Sequence, residues 1–305
     1  MLRQLAYRLM KSETGLRLMA TGLCLRNGCL LHRDGETYLL KRGVRQIRIS
    51  GKHLLYSIDT ARHFDTYFSQ VVPEKKGGQL EVNYSEPRLH TLTNGLQFEL
   101  SSMPEETSAL DAYFRFHRPN PSDLVFDIGA YCGVFTSELS KAVGPQGKVI
   151  AFEPDPLNVE LLRRNVARHQ LSNVIIAQAA ISDTNGTAAF NSDGSLGSSL
   201  TLALSRPSTH ETVEVRTIAF ETACAEFGVP SFVKIDAEGA EIEILSGAKA
   251  FLQSHPIHFV LDTSHMRDGR TTHAAVEDLL KGCGYKVVSD FDSGGFMTTW
   301  TTGIT

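Results

Sequence analysis

Asp123-Leu-Val-Phe-Asp-Ile-Gly-Ala-Tyr-Cys-Gly-Val-Phe-Thr136 decides the fold of this chain, and Val149-Ile-Ala-Phe-Glu-Pro-Asp-Pro156 follows it closely. Each stretch begins with a short apolar run, which predicts a buried strand that leads into a tight turn and a helix. Gly129 and Gly133 lie in the first turn, where the absence of a Cβ lets the backbone approach a ligand. Glu153 ends the second strand, where a carboxylate can accept hydrogen bonds from the two hydroxyls of a ribose. Together they predict a nucleoside site at the carboxyl ends of parallel strands.

The spacing of the glycines indicates which kind of nucleoside cofactor the turn suits. A dinucleotide-binding turn has the pattern G-x-G-x-x-G, with a pyrophosphate at the helix N-terminus. Here the turn reads Gly129-Ala-Tyr-Cys-Gly133, and Phe135 and Thr136 stand where a third glycine would be expected. A cofactor with a nucleoside and no phosphate fits better, and S-adenosylmethionine is the common one. The alternative is a turn that only packs a strand on a helix.

Composition narrows the class of protein. The chain has 305 residues, of which 42% are hydrophobic, so it can bury the core of one large domain or two modest ones. The formal net charge of -4 argues against DNA and against broad nucleic-acid binding. Five cysteines without a C-x-x-C pair argue against a disulfide framework or a zinc site and favour a reducing compartment. No apolar run is long enough for a signal peptide or a transmembrane span, so a cytoplasmic location is expected.

The chain is predicted to divide near residue 105. Residues 1–105 lack regular alternation of strands and helices and are expected to form a small β-rich or mixed cap. Within this part we predict a helix over 2–19, strands at 37–40, 46–49, 90–93 and 96–100, a loop at 75–78, and a lead-in helix over 105–117. The Asn94-Gly95 pair predicts the turn of a hairpin between the last two of these strands.

Residues 106–305 alternate between strands and helices, which predicts a doubly wound parallel α/β sheet with its sites at the strand carboxyl ends. The predicted strands are 124–128, 148–153, 173–180, 213–218 as an edge strand, 231–236, 257–262, 285–290 and 296–301, the last two antiparallel. The predicted helices start near 133 and cover 156–169, 219–227, 241–253 and 273–283.

A polar excursion from Thr184 to about Glu211 interrupts this alternation. It is too long for a simple connector, so a functional loop or a hairpin insertion is expected. As a loop it would close over the acceptor, that is, the molecule that would receive the methyl group of S-adenosylmethionine. His265 would face the same cavity.

Four segments resemble the class I S-adenosylmethionine-dependent methyltransferases and, within them, the FkbM-type family. They are Val125-Phe-Asp-Ile-Gly-Ala130 with Gly133, Ala151-Phe-Glu-Pro-Asp-Pro-Leu-Asn158, Ala180-Ile-Ser-Asp183 with Gly186, and Val233-Lys-Ile-Asp-Ala-Glu-Gly-Ala-Glu241 with Leu245 and Gly247. The resemblance covers about residues 90–290. It implies a Rossmann-like, mostly parallel sheet of seven strands, S-adenosylmethionine as cofactor, and methylation of a hydroxyl on a sugar or secondary metabolite. The chain departs from the family at 215–221, where Thr-Leu-Asp is usual, and at Asp262, where a Glu is usual.

The first two strand ends and the segment after the third supply the expected cofactor contacts. Asp127 is expected to anchor the first turn and the methionine ammonium, and Glu153 to accept the ribose hydroxyls. Asp183 is placed to meet the adenine amino group, or else only stabilises its own turn. The full set of residues predicted to bind the cofactor is Asp127, Gly129, Ala130, Gly133, Glu153, Pro154 and Asp183.

The fourth and fifth strands end in residues suited to act on the acceptor. Asp236 and Glu238 could orient it, take its proton or offset the charge of a sulfonium. His265 follows Asp262 on the same rim, and a histidine beside a carboxylate has a pKa suited to activating a hydroxyl near neutral pH. Asp236, Glu238 and His265 are therefore the predicted catalytic residues.

Other charged residues of these segments are given different roles. Glu241 and Glu243 are expected to face the positive end of the following helix dipole, and Lys234 to pair with a neighbouring acid or to extend towards the surface. No metal is assigned, although Asp236, Glu238, Asp262 and His265 together would also suit a hard divalent cation.

Two functions compete with methylation of a small molecule or carbohydrate. Segments 161–165 and 168–173 would also suit an RNA methyltransferase, but the net acidity and the lack of an appended RNA-binding motif speak against it. A cofactor-binding, non-catalytic partner subunit would be favoured by degraded glycines or loss of Glu153, and neither is seen. An oligomer is compatible with the sequence.

Overall fold

The computed structural model describes residues 13–104, 107–192, 199–200, 211–267, 269–291 and 295–304. It consists of two compact units, Met1–Pro104 and Glu105–Thr305. No helix within the described ranges has the length and apolar character needed to cross a membrane.

The first unit is a mixed fold of short helices and strands. Its helices are α1 (Glu13–Arg26), α2 (Tyr56–Arg62) and α3 (Phe64–Ser69), and a 3-10 turn spans Gly51–His53. Its strands are β1 (Leu30–Asp34), β2 (Thr37–Arg42), β3 (Arg45–Ser50), β4 (Glu74–Lys76), β5 (Gln79–Tyr84), β6 (Arg88–Thr91) and β7 (Gln97–Leu100). The first five strands form one sheet in the order β1-β2-β3-β5-β4, and β6 pairs with β7.

Sequence predictions for this unit are confirmed where a turn signal is strong. The Asn94-Gly95 hairpin is present: β6 and β7 pair antiparallel, and Asn94 Oδ1 accepts the backbone N–H of Leu96 at 3.0 Å. The loop predicted at 75–78 is wrong, because Lys75 and Lys76 belong to β4 and only Gly77-Gly78 form the turn. Residues 2–12 of the predicted first helix lie outside the described residues, and α1 runs on to Arg26.

The second unit contains most of the α/β alternation. In chain order its strands are β8 (Leu124–Ile128), β9 (Lys148–Phe152), β10 (Val174–Ala177), β11 (Ala180–Ser182), β12 (Gly186–Ser192), β13 (Ser199–Leu200), β14 (Glu211–Ala219), β15 (Phe232–Ile235), β16 (His258–Asp262), β17 (Met266–Arg267), β18 (Arg270–Thr271), β19 (Tyr285–Phe291) and β20 (Met297–Ile304). Its helices are α4 (Thr107–Tyr113), α5 (Val134–Val143), α6 (Pro156–Arg168), α7 (Phe220–Phe227), α8 (Glu241–Gly247), α9 (Lys249–Ser254) and α10 (His273–Gly282).

Seven of these strands form the main sheet, in the order β10-β9-β8-β15-β16-β20-β19. The pairs from β10 to β16 are parallel, whereas β20 runs antiparallel to both of its neighbours, as predicted for the closing pair. Both faces of the sheet are covered: neighbouring residues Val125 and Phe126 of β8 are fully buried in different apolar clusters. Continuous apolar strands are expected when helices lie on both faces.

The centre of the sheet creates the crevice in which a ligand can bind. The chain proceeds from β8 through β9 to β10 on one side and returns to β15 on the other. In sheets of this kind, ligands bind where the strand order reverses, outside the carboxyl ends. The N–H of Asp236, just after β15, donates to the carbonyl of Ile128 at the end of β8 at 2.9 Å. The fourth strand end therefore lies directly beside the first turn.

Of the two alternatives for the polar excursion, the described part agrees with the hairpin insertion, since β12 pairs antiparallel with β14. The structure corrects two other predictions for this unit. Residues 213–218 do not form an edge strand, because β14 lies between β11 and β12 in a four-stranded sheet of their own. The helix predicted over 241–253 is two short helices that meet at Ala248.

Candidate active site

The turn after β8 is built for close packing of backbone on backbone. Gly129 and Gly133 have φ of 75° and 88°, conformations that side chains disfavour. A Cβ on Gly129 would lie 1.8 Å from the carbonyl oxygen of Asp236, and one on Gly133 would lie 2.4 Å from Leu162 Cδ1. At Gly129 the obstacle is backbone, so a side chain there would push the turn away from Asp236; at Gly133 it is the end of a leucine side chain, and the positive φ is the stronger reason for glycine.

Glu153 closes the same turn from the neighbouring strand. Its Oε2 accepts the N–H of Tyr131 at 2.8 Å, and its Oε1 accepts the N–H of Asp155 at 2.9 Å. The carboxyl is almost fully buried, and this burial raises its pKa to about 8 even though both N–H groups favour the charged form. The Asn158 side chain also hydrogen-bonds the carboxyl, so three donors leave one of about four acceptor positions for a hydroxyl. Ala130 takes part through its N–H, which donates to the carbonyl of Phe152 at 3.0 Å.

Asp127 lies on the buried side of the turn. Its Oδ2 accepts the hydroxyl of Thr136 at 2.6 Å, which ties the end of β8 to the first turn of α5. Its Oδ1 is 3.5 Å from Lys234 Nζ, and both side chains are fully buried. These contacts tie Asp127 to α5 and to β15, and its contact with a methionine ammonium stays a prediction.

Asp183 lies in an exposed turn that its own side chain stabilises. Its side chain is exposed, and Oδ1 accepts the hydroxyls of Ser182 and Thr184. Its backbone lies against Gly247, where a Cβ would be 2.7 Å from Asp183 Cα. Because α8 begins beside Glu238 and ends at Gly247, Asp183 lies near the end of that helix farther from the rim. The adenine contact remains a prediction, and the turn-stabilising alternative describes the contacts seen.

The described part of the excursion reaches the rim at one point. Ser192, the last residue of β12, donates its hydroxyl to Asp155 Oδ2 at 3.0 Å. Asp155 also begins α6 by accepting the N–H of Leu157, with Pro156 in the first helical position. Pro154, half-buried, links this cap to Glu153. Residues 193–198 and 201–210, on which the expected loop closure depends, lie outside the described residues.

The predicted catalytic residues converge at the ends of β15 and β16. His265 Nε2 is 3.4 Å from Asp236 Oδ1 and 3.7 Å from Glu238 Oε1. On the other side of the ring, Nδ1 is 3.0 Å from Oε1 of the buried Glu241. That same oxygen accepts the N–H groups of Ala237 and Gly239, both at 3.1 Å.

Glu238 is held in a strained conformation. Its φ is 52°, a value that is uncommon for residues other than glycine. Such strain of about 1–3 kcal/mol persists only where surrounding contacts impose it. Here the turn is fixed by the two N–H groups that Glu241 binds, and as a result the Glu238 side chain is directed at His265.

Burial and ion pairing set the protonation of this cluster. Burial alone would lower the pKa of His265, but Glu241, Glu238 and Asp262 outweigh it and hold that pKa well above its ordinary value. Burial raises the pKa of Asp236 to about 6 in spite of Lys234, and it raises the pKa of Glu238 and of Asp262. The raised pKa favours the imidazolium form, which donates hydrogen bonds and does not accept a proton.

A divalent cation could also be held here. Asp236, Asp262 and His265 each offer one ligand atom, and these atoms lie within 4.8 Å of one another. Two carboxylates and an imidazole suit several divalent metals. Asp262 is already engaged, because its Oδ1 accepts the N–H and the hydroxyl of Ser264 at 2.8 and 2.6 Å.

Sequence reasoning missed two residues of this site and one interaction. Glu241 was expected only to face a helix dipole, but it closes the turn and pairs with His265; its position two residues after Gly239 is the signal that could have shown this. Arg267 has no such signal: it binds both carboxylate oxygens of Glu243 and the carbonyl of Gly239 from the β17–β18 hairpin. Lys234 was expected to pair with an acid and contacts two.

Fold and site together define a class. Numbered along the chain, the seven strands of the main sheet lie in the order three, two, one, four, five, seven, six, with the seventh antiparallel. A glycine turn follows the first strand, and an acid ends the second. This is the class I methyltransferase fold.

The family follows from comparison with known proteins. The model of the family described as Methyltransferase FkbM domain matches residues 127–287, more than half of the chain. The chain therefore belongs to the FkbM methyltransferase family, and the resemblance seen in its sequence is confirmed.

The sequence identity to three individual relatives is 28% or 29%. The chain is 29% identical over 202 residues to 31-O-demethyl-FK506 methyltransferase FkbM of Streptomyces tacrolimicus, covering 56% of this chain and 76% of that protein. It is 28% identical over 154 residues to the tRNA (adenine(58)-N(1))-methyltransferase catalytic subunit TRM61 of Yarrowia lipolytica, covering 47% and 37%. It is 28% identical over 145 residues to hexuronic acid methyltransferase AglP of Haloferax volcanii, covering 47% and 56%. The matches thus span less than two thirds of the last two proteins.

Proposed function

We propose that this chain is an S-adenosylmethionine-dependent O-methyltransferase that acts on a hydroxyl of a sugar or secondary metabolite. One observation carries the proposal: Gly129, on the cofactor side, packs against the backbone of Asp236, on the side where His265 and Glu238 converge. This contact supports a proposal in which the cofactor turn and the carboxylates of Asp236 and Glu238 lie next to each other.

The residues around the first turn fit the cofactor. Glu153 would accept a ribose hydroxyl, and the Gly129–Gly133 turn would present its backbone to the methionyl part. The site has no third glycine for a pyrophosphate, so it suits a nucleoside without phosphate. When bound, the cofactor supplies a methyl group on a positively charged sulfur, and the acceptor oxygen must approach it from the opposite side.

The acceptor side contributes orientation and proton removal. An imidazolium at His265 can donate a hydrogen bond but cannot act as the base, so we assign the base to Asp236 or Glu238. Both carboxyls have a raised pKa, which makes each a better proton acceptor than an ordinary carboxylate once it is ionised. Holding the hydroxyl in line with the methyl group is expected to supply much of the acceleration.

The activities named for two relatives support a small acceptor. One acts on a demethyl-FK506 and another on a hexuronic acid, and both are molecules with hydroxyl groups. The relative that acts on tRNA matches over 37% of its own length, and the net charge of this chain is -4. RNA is therefore the weaker proposal, and a non-catalytic role is weaker still because Gly129, Gly133 and Glu153 are all retained.

Cofactor binding is tested first. Calorimetry of the full chain with S-adenosylhomocysteine should show binding on the micromolar scale and a higher melting temperature. Glu153→Ala should weaken binding by about 1–3 kcal/mol, whereas Glu160→Ala, at an exposed position of α6, should not. Absence of heat and of thermal shift at millimolar S-adenosylhomocysteine would refute the cofactor.

Methyl transfer is tested next. The protein is incubated with S-adenosylmethionine and a panel that contains a hexuronic acid glycoside, neutral glycosides, a macrocyclic polyketide alcohol and tRNA. We expect S-adenosylhomocysteine release and a gain of one methyl group on oxygen in a glycoside or polyketide. Methylation of tRNA alone would overturn the O-methyltransferase proposal and favour the RNA alternative.

A further inference from the structure

Lys234 occupies an unusual place, inside a central strand of the main sheet. It lies in β15 and is fully buried, and no other lysine or arginine among the described residues is buried to this degree. A buried ammonium is costly unless charges and hydrogen bonds compensate it. The contacts of the Lys234 ammonium should therefore show which groups compensate the cost of burying it.

The Lys234 ammonium touches both halves of the site. Nζ donates to the carbonyl of Gly129 at 2.7 Å and lies 3.5 Å from Asp127 Oδ1, both on the cofactor side. It lies 3.8 Å from Asp236 Oδ2, on the acceptor side. The ring of Tyr113 from α4 lies 5.8 Å away, a distance at which an ammonium is attracted to an aromatic face.

The Lys234 side chain links the residue that follows β8, Gly129, to the residue that follows β15, Asp236. The Gly129 carbonyl is free to bind Lys234 because this turn departs from the β8–β9 ladder, and Asp236 meets the ammonium with the oxygen that does not face His265. A side chain anchored rigidly in β15 thus fixes one carbonyl of the cofactor turn and one oxygen of the acceptor-side acid at once. An apolar residue of similar size would fill the space but fix neither.

We propose that Lys234 is a positioning residue for the transfer reaction, whose ammonium holds the Gly129 turn and the Asp236 carboxylate in one fixed arrangement. This rests on the proposed function, because it assumes that the cofactor lies on the Gly129 side and the acceptor on the Asp236 side. Lys234 itself touches neither reactant; it acts through Gly129 and Asp236.

A double-mutant cycle tests the link to Asp236. Lys234→Met should lower kcat by roughly tenfold or more at saturating S-adenosylmethionine, with the acceptor identified in the panel above, since small misplacements are costly in such reactions. In an Asp236→Asn background the same change should cost clearly less, because one of the two partners through which Lys234 acts is gone. Lys148→Met, at the exposed start of β9, is the control and should leave kcat unchanged. Equal losses in both backgrounds would overturn the proposal.

A second measurement keeps the test valid if Lys234→Met does not fold. In the wild-type protein labelled with [15N]lysine, the Lys234 ammonium should be the slowly exchanging one because it is fully buried. Its resonance should shift when S-adenosylhomocysteine is added and again in Asp236→Asn. An ammonium that responds to neither would overturn the positioning role while cofactor binding stood. Absence of S-adenosylhomocysteine binding would instead count against the proposed function.

Discussion

Nδ1 of His265 lies 3.0 Å from Oε1 of Glu241, the oxygen that also accepts the N–H groups of Ala237 and Gly239. One buried carboxylate therefore shapes the turn after β15 and orients the imidazole that follows β16. With Nδ1 of His265 beside Glu241, the opposite ring nitrogen, Nε2, faces Asp236 and Glu238. The acceptor side of the site depends on this pair in both shape and charge.

Removing His265 should destabilise the protein most at low and neutral pH. Its pKa is raised in the folded state, so its contribution is fully present below the ordinary value of 6.5 and is lost as pH rises through the folded value. His265→Gln leaves Glu241 buried without its counter-charge, and we expect a loss of about 3–5 kcal/mol at pH 6. Urea unfolding from pH 5.5 upward measures this, with His32→Gln at an exposed site as control. A difference from wild type that grows with pH would contradict the assignment.

Gly129 should be far less replaceable than another glycine of the same conformation. Gly144 has φ of 67° and open space where its Cβ would be, so Gly144→Ala is expected to cost only the backbone strain, about 1–2 kcal/mol. Gly129→Ala adds a collision with the Asp236 carbonyl and should cost more than about 3 kcal/mol. Thermal unfolding of the two variants compares them directly. Similar losses would mean that the turn can move away from β15 without penalty.

Much of the fold could be predicted because its signals are local. The strand predicted at 124–128 is β8 residue for residue, and the helix predicted at 156–169 is α6 within one residue. A continuous apolar run predicts the strand, and Asp155 followed by Pro156 predicts where the helix begins. The division at Ala248 and the inner position of β14 were missed, since both depend on which elements pack together, and periodicity does not report that.

The sequence could predict which residues of the acceptor side lie together, but not how their charges change one another's pKa. Asp236, Glu238 and His265 were expected on one rim because parallel strands end there, and the structure places them together. The role of His265 as a base stays a prediction; the number of carboxylates around its ring, which raise its pKa, could not be read from the sequence. Glu241 is 24 positions away in sequence, so only the tertiary structure shows that its carboxylate lies beside this histidine and raises its pKa.

Cofactor affinity should rise with pH through the titration of Glu153. Burial raises its pKa to about 8, so near neutral pH the carboxyl is largely protonated in the free protein. Ribose hydroxyls donate best to the ionised form, so binding should release a proton and tighten as pH approaches 8, then level off. Calorimetry with S-adenosylhomocysteine from pH 6.5 to 9, in buffers of different ionisation enthalpy, measures both effects. Glu153→Gln should remove the proton release; its persistence in that variant would assign the titration to another group.

Activity should survive chelation of metals. The positive charge of the His265 imidazolium already lies among Asp236, Glu238 and Glu241, and a cation bound at Nε2 would have to displace its proton. We therefore expect the same turnover with EDTA as with added magnesium or manganese. Loss of turnover in EDTA with recovery on one of these metals would instead assign Asp236, Asp262 and His265 as its ligands.

Asp236→Asn should separate chemistry from cofactor binding. The carboxylate lies beside His265, on the acceptor side, and meets the cofactor turn only through its backbone and through Lys234. Loss of a proton acceptor or orienting charge typically costs about 10²–10⁴-fold in turnover, while the dissociation constant of S-adenosylhomocysteine should change by no more than about threefold. Steady-state kinetics and calorimetry on the same preparation give the two numbers, and Asp278→Asn at an exposed site of α10 is the control. Equal losses in turnover and affinity would move Asp236 into the cofactor site and leave Glu238 as the base.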